Sequence, residues 1–120
     1  MKRILIVEDE ISLNDSLKGA LLDANFEVEQ AYNGLEGLSF ALNHDFDLII
    51  LDILMPTKDG YDFIYNYTFK KEKPLPILVL SNLSGLEDKM KQYTKVKLSY
   101  MVKAEVSLDT IVKKVKSLTK

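Results

Sequence analysis

The sequence predicts a doubly wound α/β domain, in which a parallel sheet is covered by helices on both faces. Three short apolar runs, rich in branched side chains, are typical of strands that are buried on both faces. These runs are Ile4-Leu5-Ile6-Val7, Leu48-Ile49-Ile50-Leu51 and Ile77-Leu78-Val79-Leu80. Strand and helix patterns alternate along the 120 residues, and this alternation favours right-handed crossovers between parallel strands.

Two further segments predict the remaining strands of the sheet. Phe26-Glu27-Val28-Glu29 alternates apolar and acidic side chains, which is typical of a half-exposed edge strand. Tyr100-Met101-Val102 is a weaker apolar run and predicts a fifth strand near the C-terminus.

Five segments between and after the strands predict helices. In four of them apolar side chains recur at spacings of three and four residues, which places them on one helix face. These stripes are Leu13, Leu17, Ala20, Leu21 and Ala24; Leu35, Leu38, Ala41 and Leu42; Leu86, Met90 and Tyr93; and Leu108, Ile111, Val112, Val115 and Leu118. Residues 60–70 predict a further helix by their length, and Ser107 is a suitable N-cap for the last helix.

Composition limits the class of protein. A chain of 120 residues with 47% hydrophobic and 28% charged residues is the size of one globular domain, so we expect residues 1–120 to form a single unit. The absence of cysteine excludes disulfides, thiolate metal sites and cysteine nucleophiles. No apolar run approaches the ~20 residues of a membrane span, and the N-terminus is not a signal peptide. We therefore expect a cytoplasmic protein without a membrane partner.

Charge is distributed unevenly although the net charge is only −2. Residues 1–60 carry 4 Lys/Arg against 12 Asp/Glu, whereas residues 91–120 carry 8 against 2. The basic end is either a solvated helix face or a surface for docking a partner. Direct binding to nucleic acid is not expected, because a single arginine leaves little capacity for bidentate contacts to bases.

Polar side chains follow four of the predicted strands at the point where each strand ends. They are Glu8-Asp9, Asp52, Ser81-Asn82 and Lys103. Any one of these could simply begin a loop, but the carboxyl ends of parallel strands meet at one sheet edge, where such folds bind ligands. Clustered carboxylates without His or Cys favour Mg²⁺. A lysine and a hydroxyl beside such a site suit a group with several anionic oxygens, such as phosphoryl.

These residues, in this order and spacing, resemble the receiver domain of two-component response regulators. The resemblance extends over essentially the whole chain, and the motifs that carry it are Ile4-Leu5-Ile6-Val7-Glu8-Asp9-Glu10, Leu51-Asp52-Ile53-Leu54-Met55-Pro56-Thr57-Lys58-Asp59-Gly60, Ser81 and Tyr100-Met101-Val102-Lys103. The resemblance implies a flavodoxin-like fold with five parallel strands in the order 2-1-3-4-5 and five helices. The chain resembles single-domain regulators of the chemotaxis type. No effector domain is expected within these 120 residues.

The resemblance also implies roles for individual residues. Asp52 matches the aspartate that accepts the phosphoryl group, and Glu8 and Asp9 match the acidic pair that serves Mg²⁺. The backbone carbonyl of Leu54 falls where the family supplies a third metal oxygen.

Three further positions match the residues that respond to the phosphoryl group. Ser81 corresponds to the hydroxyl that contacts it, and Lys103 to the lysine that pairs with it. Tyr100 corresponds to the aromatic side chain whose rotamer follows that hydroxyl, so Ser81 and Tyr100 are the expected switch pair.

The resemblance implies a phosphorylation-dependent switch in a phosphorelay. Asp52 would receive a phosphoryl group from a sensor histidine kinase or a histidine phosphotransfer protein, and the domain would catalyse only its own phosphoryl transfer and dephosphorylation. A downstream protein, or a second copy, would dock on the fourth helix, fifth strand and fifth helix. The alternatives are an aspartyl-nucleophile phosphohydrolase, for which Leu54 stands where a second acid is usual, and a degenerate receiver that serves as a binding scaffold.

The chain departs from the family pattern beside the expected site. Ala104 follows Lys103 where proline with a cis bond is usual, so this bond is either trans or a strained cis bond. Asn82 stands where a small residue is usual. In this family the side chains two positions after the phosphorylated aspartate and two after the hydroxyl residue flank the approach of a hydrolytic water. The resemblance therefore implies that Leu54 and Leu83, which cannot hydrogen-bond a water, and the bulkier Asn82 prolong the phosphorylated state.

Overall fold

The computed structural model describes residues 1–53, 59–82, 88, 91–93 and 95–120. Within this part of the chain, five parallel strands form one sheet in the order β2-β1-β3-β4-β5. The strands are β1 (Arg3–Val7), β2 (Glu27–Ala31), β3 (Leu48–Leu51), β4 (Ile77–Ser81) and β5 (Leu98–Val102). The predicted sheet and its strand order are therefore confirmed.

The described residues contain four α-helices and one short 3₁₀ turn. The helices are α1 (Ile11–Asp23), α2 (Gly34–Asn43), α3 (Gly60–Lys70) and α4 (Leu108–Leu118), and the turn is Lys103–Glu105. The predicted helix with the stripe Leu86, Met90 and Tyr93 falls mostly on residues outside the described part, and only Tyr93 of the stripe lies within it. None of the helices that the structure describes is long and apolar enough to cross a bilayer.

The sheet separates two apolar layers, because successive side chains of a strand point to opposite faces. Leu5 and Val7 of β1 lie in the layer with α2 and α3, whereas Ile4 and Ile6 lie in the layer with α1 and α4. The three central strands are buried almost completely on both faces, as their continuous apolar runs predict. Each such side chain stabilises the fold by roughly 1.5–3 kcal/mol relative to an exposed one.

The edge strands and helix starts also follow from the sequence. β2 is only partly buried and lies at one edge of the sheet, as its alternating pattern predicts. The side chain of Ser107 caps α4 by accepting a hydrogen bond from the Thr110 N–H. The side chain of Asp59 caps α3 by accepting one from the Asp62 N–H.

Candidate functional site

The parallel sheet brings the predicted site residues to its carboxyl edge. Glu8 and Asp52 continue β1 and β3 by one residue, and the Asp52 N–H donates to the Val7 carbonyl at 3.0 Å. Ser81 ends β4, and Lys103 follows the last residue of β5, which pairs in register with Ser81. Four strands of one sheet therefore deliver polar side chains to a single edge.

Three carboxylates form a compact cluster at this edge. Glu8, Asp9 and Asp52 each place one carboxylate oxygen within 4.8 Å of the other two. Glu8 and Asp52 are only 2% and 5% exposed, whereas Asp9 is exposed. Like charges this close repel one another, so the cluster needs positive charge nearby. The donors are hard oxygen atoms, which fit Mg²⁺, and these three residues could hold such an ion.

Lys103 supplies a positive charge to two of the three carboxylates. Its Nζ atom lies 2.6 Å from Oε1 of Glu8 and 3.0 Å from Oδ2 of Asp52. The side chain is 16% exposed, and this burial on its own lowers the pKa of the ammonium. Hydrogen bonds and charge interactions with the two carboxylates outweigh burial and raise the pKa of Lys103 above its usual value, so the ammonium stays charged.

Glu8 is held on both sides of its carboxylate. Oε1 accepts from Lys103, and Oε2 accepts from the Glu10 N–H at 3.0 Å. Burial is the largest influence on this group and raises the pKa of Glu8 above its usual value, with the charge of Asp52 acting in the same direction. The bonds from Lys103 and Glu10 lower it in part.

The expected switch pair lies on neighbouring strands. Ser81 is completely buried at the end of β4. Tyr100 is half-buried in β5, where it is in register with Val79 and packs against the apolar layer of α2 and α3. Two predicted site residues lie outside the described part of the chain. They are Leu54, whose carbonyl is the expected third metal oxygen, and Leu83, which with Leu54 is expected to prolong the phosphorylated state.

Asn82 and Ala104, which both depart from the family pattern, contact each other. The Lys103–Ala104 peptide bond is trans, in common with every peptide bond that the structure describes. The Ala104 N–H, which a proline would lack, donates to Oδ1 of Asn82 at 2.7 Å. The side chain of Asn82 therefore bridges the ends of β4 and β5.

Asn14 is a supporting residue that the sequence analysis missed. It is fully buried in α1, and its Nδ2 donates to the carbonyls of Glu8 at 2.9 Å and Ala31 at 3.1 Å. Its Oδ1 accepts from Gln30 at 2.9 Å. Asn14 thus fixes the backbone at Glu8. The signal was a polar residue on the face of α1 that also carries Leu17 and Leu21.

Gly60 supports the backbone at Asp52 by allowing close contact. Its N–H donates to the Ile53 carbonyl at 2.7 Å. A Cβ atom at this position would lie 2.5 Å from Cα of Ile53 and 3.0 Å from the Asp52 carbonyl oxygen. The start of α3 can therefore pack against the end of β3 only with glycine at position 60.

The fold and the site define a class of protein: doubly wound α/β domains with three carboxylates and a lysine at the carboxyl edge of the sheet. A family model for the response regulator receiver domain matches residues 4–116, and the chain belongs to this family.

Individual relatives agree with this assignment. The transcriptional regulatory protein CusR of Escherichia coli is 39% identical over 101 residues, which are 84% of this chain and 44% of that protein. The chain therefore spans less than half the length of this relative. The solved structure of TrrA from Thermotoga maritima, in complex with Mg²⁺ and BeF, has a TM-score of 0.85 and 33% identity, covering 98% of this chain and 99% of TrrA. The chemotaxis response regulator CheY4 of Vibrio cholerae has a TM-score of 0.86 and 31% identity, with 98% of each chain covered.

Proposed function

We propose that residues 1–120 act as one receiver domain in which Asp52 accepts a phosphoryl group with the help of Mg²⁺ and Lys103. The observation that carries this proposal is the ion-paired cluster, in which the Lys103 ammonium lies 3.0 Å from the Asp52 carboxylate and beside Glu8. A buried carboxylate with a cation at hydrogen-bond distance is arranged for transfer of an anionic group.

The transfer itself forms one bond and breaks another. A carboxylate oxygen of Asp52 attacks phosphorus, and the P–N bond of a phosphohistidine breaks, with its electron pair left on the imidazole nitrogen. Lys103 is placed to neutralise charge on the phosphoryl oxygens. Bound Mg²⁺ supplies further positive charge for the same oxygens, and Glu8, Asp9, Asp52 and the Leu54 carbonyl are the groups that would hold it. The donor would be a sensor histidine kinase or a histidine phosphotransfer protein.

The acyl phosphate would convert the site into a switch. It replaces the single negative charge of the Asp52 carboxylate with about two on the phosphoryl oxygens, which Ser81 and Lys103 would contact. Tyr100 would then change rotamer and pass the change to the surface formed by the described residues 91–93 and 95–97, β5 and α4, which corresponds to the expected docking surface of the fourth helix, fifth strand and fifth helix. Amide shifts on addition of a phosphoryl mimic should concentrate on this surface, and shifts confined to the neighbourhood of Asp52 would contradict the switch.

The same surface is basic and suits an acidic partner or a second copy. Lys91, Lys95, Lys97 and Lys113 are exposed on it. Lys95 donates to the Thr68 carbonyl at 2.7 Å, and Lys91 lies 3.5 Å from Asp88. Neither contact buries its lysine, so the positive charge stays available for docking.

The proposal is tested by phosphorylating the chain with a small phosphodonor and Mg²⁺ and measuring intact mass. Wild type should gain one phosphoryl group, and chelation of Mg²⁺ should prevent it. Asp52→Ala should gain none, whereas Asp23→Ala, at an exposed acid at the end of α1, should behave as wild type. Labelling that persists in Asp52→Ala would contradict the proposal.

A further inference from the structure

The side chain of Asn82 joins two segments that carry site residues. Asn82 directly follows Ser81 at the end of β4, and its Oδ1 accepts a hydrogen bond of 2.7 Å from the Ala104 N–H. Ala104 directly follows Lys103, whose Nζ binds Glu8 and Asp52. A short, well-formed hydrogen bond therefore lies one residue away from the lysine of the site.

The segment that carries Lys103 has few other constraints. Lys103 begins a 3₁₀ turn of only three residues, Lys103–Glu105, which has no side-chain cap of its own and no buried residue. The first N–H groups of any helical turn lack acceptors within the turn. Asn82 supplies such an acceptor from a neighbouring strand, and thereby ties the turn to the buried end of β4.

The hydrogen bond between Asn82 and Ala104 depends on the residue type at both positions. With proline at position 104 there would be no N–H to donate, and with alanine or glycine at position 82 there would be no side-chain acceptor. The chain departs from the family pattern at both positions, and the two departures form one hydrogen bond.

We propose that Asn82 is a positioning residue, which acts through the Ala104 N–H to hold the Lys103 ammonium between Glu8 and Asp52. This inference rests on the proposed phosphoryl transfer to Asp52. Asn82 does not take part in the chemistry in this account. It limits the positions that the Lys103 backbone can adopt, so that the ammonium is in place when the phosphoryl group arrives.

Asn82→Leu is the informative variant, because leucine is similar in size and cannot accept a hydrogen bond. We expect phosphorylation by a small phosphodonor to slow about 3- to 10-fold, an effect of the size of one lost hydrogen bond. The rates are compared at saturating Mg²⁺, because displacement of the Lys103 ammonium from Glu8 and Asp52 would also change the affinity for Mg²⁺. Asn43→Leu is the matched control, because Asn43 is also exposed and bonded to backbone, at the end of α2.

NMR separates positioning from a purely structural effect. In wild type we expect a scalar coupling across the hydrogen bond, from the Ala104 amide nitrogen to Cγ of Asn82. We also expect a slowly exchanging Lys103 ammonium signal, because the side chain is only 16% exposed and its ammonium is hydrogen-bonded to both Glu8 and Asp52. In Asn82→Leu both should be lost, while Asn43→Leu should retain both.

Two results would overturn the inference. One is an Asn82→Leu variant that keeps the ammonium signal and the wild-type rate, and the other is a wild type without the coupling. If the proposed function were wrong, the result would differ, because wild type would then gain no phosphoryl mass. In that case the ammonium signal, kept in wild type and lost in Asn82→Leu, would still support positioning.

Discussion

Lys103 and Glu8 form the shortest ion pair of the described part of the chain, with Nζ 2.6 Å from Oε1. Glu8 also accepts from the Glu10 N–H, so both of its oxygens are engaged. The lysine therefore bridges the first and third strands of the sheet through Glu8 and Asp52. This bridge neutralises part of the acidic cluster before any phosphoryl group arrives, and it makes the two members of the Glu8-Asp9 pair unequal.

We expect Asp9→Ala to weaken Mg²⁺ binding more than Glu8→Ala does. Asp9 is exposed and its carboxylate is accessible, whereas both oxygens of Glu8 already accept hydrogen bonds. Loss of a direct carboxylate ligand should weaken binding by about tenfold or more, which is 1.4 kcal/mol. Calorimetric titration with Mg²⁺ measures both variants, with Asp23→Ala as the control. Equal affinities for the two variants, or the reverse order, would contradict the ranking.

The phosphorylated state should decay slowly for a receiver domain. Leu54 and Leu83, which lie outside the described residues, cannot orient a water, and Asn82 adds bulk beside Ser81. Leu54→Asn and Asn82→Ala should each speed the decay, by about tenfold for each 1.36 kcal/mol by which the barrier falls. Asn82→Leu, which keeps the bulk, should retain slow decay. Loss of phosphoryl mass over time after removal of the donor is the measurement, and fast decay in wild type, unchanged by Leu54→Asn or Asn82→Ala, would refute the idea.

Gly60→Ala should destabilise the fold and slow phosphorylation together. The added Cβ would lie 2.5 Å from Cα of Ile53, so the backbone beside Asp52 must shift. Overpacking of this kind costs about 1–3 kcal/mol. Gly19→Ala is the control, since the residue is inside α1 and its added Cβ would have no atom within 4 Å apart from its chain neighbours and the backbone of its own helix. That variant should be more stable by about 0.5–1 kcal/mol. Urea unfolding compares the two, and equal stabilities would show that the close contact at Gly60 is unimportant.

Tyr67 should make the free energy of unfolding depend on pH in the alkaline range. Its side chain is fully buried, and burial raises the pKa of the phenol above its usual value near 10, although the hydrogen bond from the Leu75 N–H lowers it in part. Above about pH 10 the unfolded chain therefore loses a proton that the folded chain retains, so stability falls as pH rises. Tyr67→Phe should reduce this fall.

The same variant has a cost at neutral pH. Without the phenol oxygen the Leu75 N–H loses its acceptor, which should destabilise the fold by about 1–2 kcal/mol. Tyr65→Phe, at an exposed ring of the same helix, should keep the wild-type profile. If Tyr67→Phe and wild type lost stability in parallel above pH 10, the assignment to Tyr67 would be wrong.

The fold was predictable because its strongest signals are local. Continuous apolar runs specify the three central strands, and the alternation in Phe26-Glu27-Val28-Glu29 specifies the edge strand found at Glu27–Ala31, since each pattern follows from which faces are buried. The predicted order of the strands is also confirmed.

Contacts between distant segments were harder to predict than the site residues themselves. Glu8, Asp52, Ser81 and Lys103 could be placed at one edge, because each follows a recognisable strand. The bond between Asn82 and Ala104 could not be predicted, because it depends on how two loops approach each other. The hydrogen bond of Asn14 to the Glu8 carbonyl depends in the same way on the packing of α1 against the sheet.

The central claim is that Asp52 carries the phosphoryl group. Reductive mapping tests this claim on the wild-type chain, without a substitution at position 52. Borohydride reduces an acyl phosphate on aspartate to homoserine, and peptide mass spectrometry locates the product. After phosphorylation of wild type with a small phosphodonor and Mg²⁺, the account predicts homoserine at position 52 alone. Homoserine at Asp9 or at another aspartate, 5-hydroxynorvaline (the product from a glutamyl phosphate) at Glu8, or no homoserine at position 52 in a chain that has gained phosphoryl mass, would contradict it.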